Sequence, residues 1–217
     1  MRSLGRLVRG LSALFWALPA ALVICFHTAK SDGPGNLGIV PPVAVTLVLL
    51  YGLWLMTDFQ PQERVWRRSL DWAMLLAMFN VGLSPFLYWW NKIPANTFFM
   101  GMVTAITFTG LLFLASLNFV LQRLGAMLPD EALRLETRQF TALNLNMIAI
   151  TVLVVAAYLA LRYFQSVPFW IEAVEDAIER GSFWFLILLV LLPLAMTMAL
   201  LWKTKEVILE SIFGTKK

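Results

Sequence analysis

The chain has 217 residues and a net charge of +4, and 60% of its residues are hydrophobic against 14% charged. Soluble domains carry roughly 45–50% apolar and about 25% charged residues, so too few polar side chains remain here to cover a soluble core. That excludes an ordinary soluble globule. It leaves a single membrane domain over residues 1–217, with lipid as the solvent for its outer surface.

The basic residues fall in short clusters between apolar runs, a pattern that suits topogenesis and anionic lipid headgroups rather than nucleic acid. Cys25 is the single cysteine, which rules out an intramolecular disulfide.

A spanning helix needs about 20 mainly apolar residues. Six runs without Lys, Arg, Asp or Glu meet or approach that length: Leu11–Phe26, Ile39–Thr57, Trp72–Trp90, Phe98–Leu121, Leu143–Leu161 and Phe183–Trp202. The first follows Arg2, Arg6 and Arg9 as a signal peptide would. The residues after it, His27-Thr28-Ala29-Lys30, offer no small-x-small cleavage site, so an uncleaved signal anchor is expected. His27 is the only histidine and has no carboxylate close by in sequence.

Pro19, Pro85 and Pro193 predict kinks, while Pro41 and Pro42 mark a helix end. In the third run Ala73, Ala77, Asn80 and Ser84 follow one helical face. In the fourth, Thr97, Gly101, Ala105 and Thr109 recur every four residues. Such small-residue ridges let helices approach closely in lipid, so these two helices are expected to pack through them, with Asn80 hydrogen-bonded across the contact. Asn118, Asn144 and Asn146 form a second polar group toward the inner leaflet, expected to bond between helices or simply to sit at the interface, with a shallow cytoplasmic pocket as the alternative.

Two connecting segments have helical character of their own. Pro129–Phe140 opens with a proline and two acids, the chemistry of a helix start, and leads toward the fifth run. Ser166–Arg180 places Val167, Ile171, Val174 and Ile178 on one face and Glu172, Glu175, Asp176 and Glu179 on the other. It reads first as a helix along the outer membrane surface; the alternative is an acidic docking face for a partner or cations, toward which its acidic side weighs because surface helices usually carry basic polar faces.

Orientation follows from lysine and arginine in the loops. With both ends cytoplasmic, thirteen of the seventeen lie inside, and only Lys30, Lys92, Arg162 and Arg180 lie outside. The expected fold is therefore an all-α membrane protein. It is a bundle of six transmembrane helices in three antiparallel hairpins, with one outer and one or two inner amphipathic interfacial helices. The expected location is the inner (plasma) membrane of a bacterium.

No Lys, Arg, Asp, Glu or His interrupts a run. This disfavours proton-coupled pumps and intramembrane hydrolases, which need buried carboxylates, histidines or metal ligands. The sequence predicts no catalytic residues, no cofactor and no metal. Its first functional expectation is a non-enzymatic component: an accessory or scaffold subunit, or a docking protein, with the bilayer and a membrane protein or a further copy of itself as partners. The alternative is a small transporter or channel for a neutral or apolar solute, using Asn80, Thr104, Thr107 and the cytoplasmic-side asparagines. A lipid-directed enzyme would have only Asp71, Glu136 and Arg138, whose spacing fits no mechanism.

Overall fold

A computed structural model describes residues 2–30, 38–128, 131–163 and 190–210. The described residues are 91% helical and contain no strand. In chain order the helices are α1 (Arg2–Lys30), α2 (Val40–Met56), α3 (Arg64–Leu83), α4 (Pro85–Lys92), α5 (Thr97–Met127) and α6 (Glu131–Tyr163), followed by α7 over residues 190–210. Among the described residues four helical stretches are long and apolar enough to cross a membrane: Ser3–Lys30, Arg64–Lys92, Thr97–Met127 and Arg134–Ala157. Val40–Met56 is a shorter apolar helix. The chain thus has the helix content and apolar helix lengths of a membrane protein.

Local chemistry explains several boundaries. Prolines in the first turn start α2 where an amide donor would have no partner in any case. Asn96 caps α5, its side-chain oxygen accepting from the Phe98 amide at 2.9 Å. Between α3 and α4 the chain keeps right-handed helical angles at Ser84 (φ −58°, ψ −32°), and the interruption comes from Pro85, which has no amide hydrogen to give the Val81 carbonyl. The Ser84 hydroxyl donates to that carbonyl at 2.9 Å and satisfies it from within the helix. α6 begins at Glu131 and continues unbroken into the apolar stretch, so the segment before Phe140 is the first part of that helix.

Packing begins with α1 on α2. Leu7, Leu11 and Leu14, spaced four and three apart, are fully buried together with Leu53 and Met56. At the centre of this contact the backbones nearly touch. A Cβ added at Gly10 would stand 2.6 Å from the Gly52 carbonyl oxygen, and one at Gly52 would stand 3.2 Å from the Gly10 oxygen. Arg6 pairs with Asp58 beyond the contact, but both side chains are about half exposed and such pairs contribute little.

Elsewhere Ala73, Ala77 and Asn80 are buried where α3 meets α5. The Phe59 and Trp66 rings meet edge to face and seal the connection from α2 to α3. Gly125 of α5 lies against Thr137 of α6. Lys203 of α7 pairs with Glu136 of α6, and the Phe15 and Trp202 rings, 5.6 Å apart, join α1 to α7. Trp16, Val40, Met78 and Leu153 point outward, each more than 60% exposed, a surface that suits lipid and not water.

Candidate polar site within the helix bundle

Polar side chains inside an apolar bundle need partners, because lipid supplies none. The buried polar residues in the described chain are threonine, serine or asparagine, and several of their donors can be followed to acceptors on a neighbouring helix.

The first group joins α3 to α5. The Thr109 hydroxyl donates to Asn80 Oδ1 at 2.7 Å, and the Ala105 carbonyl, 2.9 Å from the same hydroxyl, offers it an alternative within its own helix. Asn80 and Ser84 are buried, Ala105 and Thr109 half-buried, and Gly101 exposed. An added Cβ at Gly101 meets nothing within 4 Å. The α3–α5 contact therefore runs through Asn80 and Thr109, while among the described glycines it is Gly10 and Gly52 at which an added Cβ would meet another helix's backbone. Replacing Asn80 by leucine should lower unfolding stability in detergent by about 1 kcal/mol, the usual worth of an interhelical hydrogen bond in a membrane. Thr109→Val should cost a similar amount, and the double variant little more than either.

The second group is larger and joins three helices. Asn118 of α5, Asn144 of α6 and Thr197 of α7 are each at most 1% exposed. The Asn118 amide nitrogen donates to the Leu114 carbonyl at 2.8 Å and to the Thr197 hydroxyl at 3.0 Å. The Asn144 amide nitrogen lies 3.1 Å from Asn118 Oδ1, 2.8 Å from Thr197 Oγ1 and 3.2 Å from the Pro193 carbonyl. Thr197 in turn donates to Pro193 at 2.8 Å. Both hydrogens of each amide and the single threonine hydrogen are thus engaged. The two asparagines share this knot. Asn146, two residues further along α6, is exposed on another side of the helix.

Sequence reasoning missed Thr197, although it is the only polar residue in the run Phe183–Trp202. A lone hydroxyl in a spanning helix needs an acceptor, and that was a usable signal.

Other candidates are placed apart. Glu136 pairs with Lys203, while Asp71 and Arg138 are exposed on α3 and α6, so these three do not converge. Thr104 and Thr107 donate to the carbonyls of Met100 and Val103, one turn back in their own helix, at 2.9 Å. His27 is exposed near the end of α1. Among the described residues no group of three or more His, Cys, Asp or Glu side chains could hold a metal ion. Glu172, Glu175, Asp176 and Glu179 lie outside the described residues.

Comparison with protein families, curated proteins and solved structures gives no match. The reading of the site therefore rests on its own chemistry, which among the described residues is neutral hydrogen bonding between helices.

Proposed function

We propose that the chain is a non-enzymatic subunit of a membrane complex, with six spanning helices in three antiparallel hairpins and both ends cytoplasmic, in the inner membrane of a bacterium. In this reading its interior polar groups fasten helices together and its lipid-facing surface docks a different membrane protein.

One observation supports the docking role above others. Asn146 lies near the start of the apolar run Leu143–Leu161 on α6, is exposed, and has no hydrogen-bond partner among the described residues. It lies eight residues past Arg138, about 12 Å along the helix axis, and so within the apolar part of the helix. The same exposed face carries Ala142, Ala149, Leu153 and Ala156, and small residues at this spacing permit close approach by another helix. An unpartnered amide at that depth is costly against lipid, and a polar group on a neighbouring spanning helix removes the cost.

The transporter alternative asks the same neutral groups to face a solute. Asn80 instead accepts from Thr109, and Asn118 and Thr197 bond each other or a helix carbonyl, which favours the subunit reading.

Extraction from native membranes in mild detergent tests it. The wild-type chain should carry a stoichiometric partner through two purification steps, and Asn146→Leu should lose that partner while eluting as a folded particle. A monodisperse, partner-free monomer or dimer of the wild-type chain would overturn the proposal.

A further inference from the structure

Two polar atoms in the α5–α6–α7 seam stand outside the knot of bonds described above. Asn144 Oδ1 and Thr141 Oγ1 are both fully buried and neither has a hydrogen-bond partner. Both residues are 1% exposed, and they lie three positions apart on the same face of α6. The Asn144 amide is fixed in orientation by its three acceptors, since turning it over would place its oxygen against the oxygens of Asn118, Thr197 and Pro193. Its own oxygen is therefore an acceptor that lacks a donor.

Thr141 is unusual among the buried threonines. Thr28, Thr46, Thr151, Thr197 and Thr204 each donate to the carbonyl four residues earlier at 2.8 Å. That route is the ordinary escape for a hydroxyl in an apolar helix, and Thr141 does not take it. Its hydroxyl is a donor that lacks an acceptor. One turn before it, Thr137 packs closely against Gly125, where an added Cβ would lie 3.1 Å from the Thr137 hydroxyl oxygen.

A buried donor and a buried acceptor on adjacent turns of one face are complementary to a group that both accepts and donates. We propose that Thr141 and Asn144 form a binding site for one hydroxyl group inside the three-helix seam, contributed by a trapped water or by a lipid or other membrane-soluble alcohol. The bound oxygen accepts from Thr141 Oγ1 and donates to Asn144 Oδ1. A carboxylate or an ammonium fits poorly, since the first cannot donate and the second cannot accept. Ordering one such molecule costs less than leaving two buried polar groups unpaired. The site is separate from the docking face, because Asn146 lies on another side of α6 from Asn144.

The full chain with ¹³Cγ-labelled asparagine, in nanodiscs of phosphatidylcholine, provides the test by solid-state NMR. Asn144 should receive magnetisation from exchangeable protons bound at its carbonyl, and its signal is identified by its absence in Asn144→Leu. Thr141→Val should reduce that transfer several-fold while the Asn118 signal stays in place, and Thr141→Ser should retain it. Transfer from the water frequency in phosphatidylcholine identifies trapped water. Transfer that appears only in native lipid extract identifies a lipid or other alcohol. No transfer to Asn144 in either membrane, or transfer unchanged in Thr141→Val, would overturn the site.

Discussion

Gly10→Leu should unfold the N-terminal half of the protein or lower its stability by about 3 kcal/mol, the upper end of the range for overpacked contacts. The obstacle is rigid. A Cβ at residue 10 would lie 2.6 Å from the Gly52 carbonyl oxygen and 2.8 Å from Met56 Cγ. A flexible side-chain tip could swing aside, but a helix carbonyl can yield only if α1 and α2 move apart. Separation would uncover Leu7, Leu11, Leu14 and Leu53, all fully buried at this interface. Lipid would cover those leucines about as well as protein does, so the loss is one of van der Waals packing and backbone approach, the terms that drive helix association in membranes. Gly5→Leu supplies the control, because nothing lies within 4 Å of an added Cβ there. Its effect should stay within about 0.5 kcal/mol, as for surface substitutions generally. Thermal unfolding followed by size-exclusion chromatography in the same detergent compares the two.

That contact also shows which features a single sequence reveals. Apolar run length is a one-dimensional property set by bilayer thickness, so the long helices could be read directly from the chain. Among the described residues four of them are long and apolar enough to span. The onset of α6 at Glu131 was legible for a similar reason, since a proline followed by acids is local chemistry. Which glycine meets which backbone is not local. Gly101 and Ala105 sit in a tidy four-residue ridge, yet nothing approaches Gly101. Gly10, with no such ridge around it, meets another backbone. Spacing fixes the face on which a small residue lies, but the partner helix depends on how the whole bundle assembles. The polar knot was half legible for the same reason. Asn118 and Asn144 stood out because an amide in an apolar run must find a partner. Their shared acceptor, Thr197, is 79 residues from Asn118 and 53 from Asn144, a separation that periodicity does not bridge.

The knot itself makes a second large effect predictable, in the form of a cycle. Asn144→Leu removes the donor to Asn118 Oδ1 and leaves that oxygen, in a residue 1% exposed, facing leucine. A buried polar group stripped of its partner costs about 1–3 kcal/mol, and a loss of about 2 kcal/mol is expected by unfolding in detergent. Asn118→Leu should cost a similar amount, because it strips the same bond from the other side and takes a donor from Thr197. The double variant should not cost the sum. With both amides replaced by leucine, the bond between them and its stranded oxygen are gone together. Thr197 keeps its bond to the Pro193 carbonyl at 2.8 Å, so the seam loses its polar link without an unpaired asparagine oxygen left in it. The double variant should therefore lie within about 1 kcal/mol of either single variant, a coupling of the size seen for residues in one hydrogen-bond network. Additive losses would mean that the asparagines act independently and that the three helices are held by packing alone.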